Sequence, residues 1–225
     1  MAATTTRSEL AYRAMRADIL AGRLRPGDKL PFADLADRYE ASQGVLREGL
    51  ARLVAEGLVV AEPQVGYRVM PLSAKDLSDL TDARCEIEGL VLGLAIEHGD
   101  VEWEALVVAA HHRLDRTSGK TDPATGRVSE AWAEAHGDFH GALLSACPNE
   151  RLKAVAISLR ASAEVYRQWS VTLAEEDTRD IAGEHRELVG AALDRDVERA
   201  VQCLTSHLRT TQSLLLTQTL TPTTP

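Results

Sequence analysis

Cysteine is scarce in this chain of 225 residues: Cys85, Cys147 and Cys203 are an odd number, far apart, and no metal-ligand spacing relates them. A disulfide framework and a zinc-finger centre are therefore both excluded, and reduced thiols in a cytoplasm are the expectation. No apolar run approaches the ~18 residues that a membrane-crossing helix needs. The start, Met1-Ala-Ala-Thr-Thr-Thr6, lacks the basic and apolar regions of a secretory leader. A strong positive charge is missing too: the formal net charge is −9, which argues against a protein that coats nucleic acid indiscriminately. There is no internal repeat, and strand-like patterning is confined to one short stretch.

The negative charge is unevenly placed. Residues 1–72 hold 10 Lys+Arg against 9 Asp+Glu, a net of +1, which leaves 15 against 25, a net of −10, for the remainder. The stretch that organises the less acidic part is Ala41 to Gly57, one amphipathic helix with Ser42 as a good N-cap and Gly57 where a left-handed residue would stop it. Leu46, Leu50, Leu53 and Val54 form its core-facing stripe, while Gln43, Gly44 and Arg47 fall outside that stripe near the N-terminal end. Leu58 to Met70 reads as two β-runs around a Pro63–Gly66 turn, a wing. Ser8–Ala21 and Pro31–Tyr39, the latter opened by proline at its first position, read as the two preceding helices. The expectation is a winged helix-turn-helix over residues 1–72. Ser42, Gln43, Gly44 and Arg47 would face a DNA groove and Gly66 would bring the wing backbone close to it. Arg47 suits either a bidentate guanine contact or a phosphate contact.

After the link Pro71–Lys75 the pattern is helical throughout, with helices expected at about 76–98, 101–117, 127–146, 149–170, 177–193 and 195–217. Gly99, Ser118–Gly126 and Pro148-Asn149 are the breaks. The fold expected overall is mainly α, with an all-α bundle over 73–217 and a Thr/Pro-rich, disordered tail over 218–225. Within the bundle, His136 and His140 share the stripe Trp132, His136, Phe139, His140, Leu143. His185 lies on the face Ile181, His185, Leu188, Ala192, and His207 on Ala200, Cys203, Leu204, His207, Thr211, Leu214. One such histidine alone reads as a hydrogen-bonded core residue. Four neutral imidazoles in an apolar interior lose hydration without attracting one another, and a divalent ion would reverse that balance. Arg84, on the face Leu80, Arg84, Ile87, Val91, Leu94, needs an anionic partner, Glu88 or another acidic residue in the plainest reading.

Two resemblances follow from these residues. Ile19 to Leu30, Leu35-Ala36, Ser42, Leu46-Arg47-Glu48, Leu50, Leu53, Glu56-Gly57-Leu58-Val59, Gly66 and Val69 resemble the amino-terminal domain of the GntR family of bacterial transcription regulators. The family usually has arginine where Gln43 stands and alanine where Gly49 stands. Arg84, Glu88, Phe139-His140, Leu143, Asn149, Glu184-His185-Arg186 and His207-Leu208 resemble the FCD ligand-binding domain of the FadR-type members. In metal-binding members an aspartate or asparagine four residues before the Phe-His histidine joins three histidines around a divalent ion. His140, His185 and His207 match that set, and His136 takes the fourth place as a departure. The resemblance implies a homodimeric, cytoplasmic regulator, in the repressor sense, on a palindromic double-stranded operator. A small carboxylic acid would be its effector, with Arg84, and secondarily Arg160 and Tyr166, as anchors. An all-imidazole set points to zinc or nickel first. A second reading makes the ion itself the effector. A remote third, a metal-dependent hydrolase, is prompted by His136-x-x-x-His140, but Gly137 stands where such an enzyme needs its glutamate base.

Overall fold

The computed structural model describes residues 6–117, 128–169 and 179–219. The described residues form two compact units, one running to Asp76 and taking in Ala161–Trp169, the other comprising Leu77–Arg160 and the chain from Arg179 onward.

The first unit contains α1 (Arg7–Leu20), α2 (Phe32–Tyr39), α3 (Gln43–Ala55), β1 (Val59–Glu62) and β2 (Gly66–Val69). Capping residues set the helix ends: Thr6 accepts from the Glu9 N–H at 3.1 Å and Ser42 from the Val45 N–H at 3.5 Å. Pro31 is the extended residue before α2 rather than its first helical residue. Its ψ of 136° keeps it outside the helix, and Glu40 in the left-handed region ends α2. At the end of α3 the Gly57 N–H reaches Val54 O at 3.0 Å and the Leu58 N–H reaches Leu53 O at 2.9 Å. This 6→1, 5→2 pair requires a left-handed residue between helix and strand, and Gly57 supplies it with φ +73°. Leu58 is thereby turned into the core, where it joins Met15, Ile19, Leu46, Leu50 and Leu53, each at most 1% exposed.

The wing is an antiparallel pair with Val59 opposite Val69 and Glu62 opposite Gly66. A third piece of chain, unannounced by any β-pattern, lies along it: the Leu30 N–H donates to Tyr67 O at 2.8 Å and the Val69 N–H to Asp28 O at 2.9 Å. Gly49, where the family favours alanine, is buried against α1, and a Cβ there would lie 2.6 Å from the Met15 methyl. Met15 fills the space that an alanine methyl would occupy. Val165 completes this core, and Ser162 donates to Glu56 O at 3.1 Å.

The second unit is built from α4 (Ala74–His98, shared with the first at its start), α5 (Val101–Arg116), α6 (Glu130–Leu144), α7 (Glu150–Trp169, up to Arg160), α8 (Ile181–Leu193) and α9 (Val197–Thr219). Ser129 and Asp180 are N-caps, so α6 and α8 begin later than their periodicity suggests. Positions 118–127, 170–178 and 220–225, which hold the expected loop after α5, the flanks of α7 and α8 and most of the expected tail, lie outside the described residues. Gln218 and Thr219, expected in that tail, are the last residues of α9. The core centres on Leu92, Ile96, Val107, Phe139, Leu143, Leu188 and Ala200, and the Trp103 indole N–H ties α5 to α6 through Ala142 O at 3.0 Å.

The face α4 turns inward differs from expectation. Leu77, Thr81, Cys85, Glu88, Leu92, Ala95 and Ile96 are buried; of the expected face Val91 is buried too, whereas Leu80, Arg84, Ile87 and Leu94 are only half-buried. Cβ atoms added at Gly89 and Gly93 would each meet α9 at 3.3 Å, through Val201 and Val197. These small residues bring α9 onto this face, which the apolar pattern of a helix hydrophobic on several sides cannot single out. Among the described residues no helix is long and apolar enough to cross a membrane.

One carboxylate organises the polar side of the first unit. Asp18, 8% exposed, accepts from Tyr39 Oη at 2.7 Å, Arg38 Nε at 2.7 Å and Arg23 Nε at 2.5 Å. Burial pushes its carboxyl up, but these hydrogen bonds outweigh it and hold Asp18 below the usual carboxylate range. Asp18→Ala should lower stability by about 1–3 kcal/mol, with the half-exposed arginines contributing little of that. Urea unfolding of the full chain checks it, and an unchanged midpoint would refute the role.

Candidate functional site

α6, α8 and α9 carry the four histidines to one place. His136, His140, His185 and His207 are 7%, 2%, 3% and 7% exposed. Each offers a ring nitrogen, and the four nitrogens lie within 4.8 Å of one another. The i, i+4 spacing on α6 sets His136 Nε2 3.2 Å from His140 Nε2. The Trp132 ring stacks on His136 at 4.6 Å, and Phe139 packs against His140 and His185 at 5.0 Å each, so the walls are apolar. His98 is exposed with its Nδ1 2.9 Å from Leu94 O, His112 is exposed, and His111 is half-buried against Phe139.

The ring nitrogens are oriented from outside. Glu184 Oε2 lies 2.7 Å from His207 Nδ1, which makes Nδ1 the protonated nitrogen and turns the Nε2 lone pair inward. Arg179 fixes that carboxylate with two bonds of 2.7 and 2.6 Å, and also donates to Thr211 Oγ1 at 3.0 Å and His207 O at 3.1 Å. Burial pushes the Glu184 carboxyl up, but His207 and Arg179 together bring it down to about 2. No periodicity in the sequence signals this pair, because Arg179 precedes α8 and its partners lie on α8 and α9. One ring atom is left over: His185 Nε2 is buried without a hydrogen-bond partner among the described residues.

These four imidazoles fit a divalent ion. The donor set is neutral nitrogen throughout, and the orphaned His185 Nε2 costs free energy that an ion would recover. The chemistry favours zinc, nickel or copper over magnesium or calcium.

Arg84 and Arg160 meet at Glu88. The Glu88 carboxylate, 0% exposed, takes Arg84 Nε at 2.6 Å and Arg160 Nη1 at 3.2 Å. Burial pushes Glu88 up, yet the two guanidiniums hold it below the usual carboxylate range. The field of both arginines reaches His140, where it adds to burial in disfavouring an imidazolium. Tyr166, expected beside them, belongs instead to the first unit: its hydroxyl bonds Asp76 Oδ2 and lies 3.4 Å from Ser73 O. The turn of α7 that carries it falls beyond Arg160, and that stretch packs on the first unit.

In the first unit, Ser42, Gln43, Gly44 and Arg47 are all exposed at the start of α3. Gly66 is exposed at the head of β2 with φ +118°, a conformation glycine tolerates and side chains rarely adopt. The gntR family of bacterial regulatory proteins matches residues 7–69 and the FCD domain family residues 79–210. The chain belongs to the GntR family, in its FCD-containing branch.

As a GntR-family protein it is a DNA-binding transcription regulator and not an enzyme. The HTH-type transcriptional regulator BphR of Paraburkholderia xenovorans (strain LB400), named as uncharacterized, is 36% identical over 207 residues, 92% of this chain and 84% of the relative. The HTH-type transcriptional repressor GlaR of Escherichia coli (strain K12) is 36% identical over 202 residues, 88% and 91% of the two chains. In fold, E. coli McbR/YncC superposes with a TM-score of 0.77 at 19% identity, covering 96% of this chain and 100% of its own. A putative GntR regulator from Rhodococcus sp. RHA1 gives 0.73 at 22% identity, covering 94% and 98%.

Burial holds His140 and His185 well below the ordinary imidazole range, and it does so for His207 against the opposing bond to Glu184. Groups depressed in the folded state give stability that is complete above their unfolded pKa of about 6.5 and is lost as pH falls toward the folded values. Glu184 does not oppose this, since its own contribution fades only below about 4.5. Metal-free protein should therefore lose about 1.4 kcal/mol for each of these three histidines between pH 7.5 and 5.5, about 4 in all. Urea unfolding in the presence of a chelator measures it, and a flat profile would refute neutral burial.

Proposed function

We propose that this regulator is a homodimeric repressor whose operator binding responds to a small organic acid. The acid would bind beside a divalent ion, zinc or nickel first, held by His136, His140, His185 and His207. The observation that carries the reading is His185 Nε2, a buried ring nitrogen without a partner among three other inward-facing imidazoles. A bound ion would supply a Lewis acid to which a carboxylate oxygen can attach. Glu184, held by Arg179, orients His207 for it. Arg84 and Arg160, which both bind Glu88, are the cations that would take the effector's anionic end. His136 adds no charge to the centre where other metal-binding members have a carboxylate, a composition that favours softer ions.

The operator-facing set is Ser42, Gln43, Gly44 and Arg47 on α3, with Gly66 on the wing. A palindromic duplex is the expected target because one winged helix covers too little DNA for operator-level specificity and two copies double the reading frame. The expected compartment is the cytoplasm. A second reading has the ion itself as effector, and the same four imidazoles favour it: operator binding would then respond to the metal with no organic acid present.

Elemental analysis tests the centre. Wild type should carry close to one zinc or nickel per chain, and His140→Ala and His185→Ala far less, while Glu184→Gln should bind the ion about ten- to a hundredfold more weakly. The same substoichiometric metal in wild type and the alanine variants would reduce the four histidines to core residues. Sedimentation should give twice the 24.4 kDa chain mass at micromolar concentration. A clean single-chain species would refute the dimer.

A further inference from the structure

The arginines of the first unit are mostly committed to carboxylates. Arg13 and Arg52 bind Glu9, Arg16 binds Glu56, Arg23 and Arg38 bind Asp18, and Arg68 binds Glu62. Arg38 and Arg52 also lie over rings, those of Tyr39 and Tyr12, but Arg47 has no carboxylate partner among the described residues: its guanidinium carbon sits over the Phe32 ring, 5.6 Å from the centroid. The acid next to it in sequence, Glu48, is engaged by the Ser8 hydroxyl at 2.7 Å. Phe32 in turn stands edge-on to Tyr67 of β2, with centroids 5.9 Å apart at 90°. Start of α2, recognition helix and wing thus meet in one row, Tyr67 to Phe32 to Arg47.

The distinction between the two kinds of partner is chemical. A carboxylate occupies the in-plane N–H groups of a guanidinium, the same donors that a guanine edge would need. An aromatic ring attracts the cation through its face and leaves those donors uncommitted. It also restricts a long, exposed side chain that would otherwise lose rotamer freedom on binding.

We propose that Phe32, braced by Tyr67, is a positioning residue for DNA reading, holding the Arg47 guanidinium in place while leaving its N–H groups free for a base edge. The proposal rests on Arg47 as a base-reading residue and adds to that reading the residue that presets it. It also ties the wing to the recognition helix, since Tyr67 fixes the ring from the wing side.

The test uses the full chain and two duplexes: the site that wild-type protein enriches from a random duplex pool, and a scrambled version of that site. Arg47→Ala should reduce the ratio of the two affinities about tenfold or more. Phe32→Leu, which keeps an apolar side chain but removes the ring, should reduce it about two- to fivefold, and Phe32→Tyr should restore it. In the Arg47→Ala background, Phe32→Leu should change nothing further. If Phe32→Leu weakens both duplexes equally, or acts as strongly without Arg47, Phe32 is a structural residue and the proposal is overturned. An unchanged ratio in Arg47→Ala would instead overturn the base-reading role itself, whatever Phe32 does. Thermal unfolding of each variant, expected within about 2 °C of wild type for a half-exposed side chain, separates a local effect from loss of the fold.

Discussion

Burying four imidazoles is the constraint around which the second unit is arranged. A polar ring placed in an apolar interior loses its water, and each lone pair or N–H left without a partner adds a cost of about 1–3 kcal/mol. Most of that cost is removed inside the protein. His136 and His140 share a short nitrogen contact, and His207 gives its Nδ1 proton to Glu184. Trp132 stacks on His136, and Phe139 packs against His140 and His185. What remains, His185 Nε2, has no hydrogen-bond partner among the described residues. Structural cores seldom retain such an atom, whereas metal centres need one from every ligand. Since the rings come from α6, α8 and α9, satisfying them together also fixes how those helices pack.

The same economy of charge separates structural from functional cations. Arg179, at 9% side-chain exposure, has every named contact directed at Glu184, Thr211 or His207, and it holds the His207 ring in place through Glu184. Arg84 and Arg160 converge on one buried carboxylate, Glu88. In the first unit, pairing with Asp18, Glu9, Glu56 and Glu62 consumes the cations near the core surface. Arg47, resting on an aromatic face, keeps its donors. The net charge of −10 in residues 73–225, against +1 before them, places the acidic surface outside the DNA-reading part of the chain.

Much of the architecture was legible in the sequence because it depends on neighbours within one turn. Ser42 and Gly57 marked the ends of α3 through their own side-chain and backbone chemistry, and the hairpin followed from its turn residues and alternating runs. The four histidines were legible for a related reason: each shares a helical face with residues that must be buried, so periodicity alone turned each one inward. Family resemblance then supplied which domains these were, and the matches to both domain families carry that identification.

Periodicity tells which residues share a face but not which neighbour a face will meet, and this is where the sequence stops. α4 is apolar on more than one side, so only the close approach of α9 at Gly89 and Gly93 selected the face carrying Glu88 for burial. Tyr166 shares α7 with Arg160, yet a single helix can serve two units, and the turn beyond Arg160 packs on the first. The row Tyr67, Phe32, Arg47 and the clamp Arg179, Glu184, His207 join residues that are 15 to 35 positions apart or lie on different elements. By itself the sequence determined which segments are helical, both ends of α3, the wing and the inward histidines, because each is a local balance of hydrogen bonding and apolar burial. Tertiary structure alone decided the shared nitrogen centre, the partners of the buried charges and the setting of Arg47, because those depend on the distances between elements.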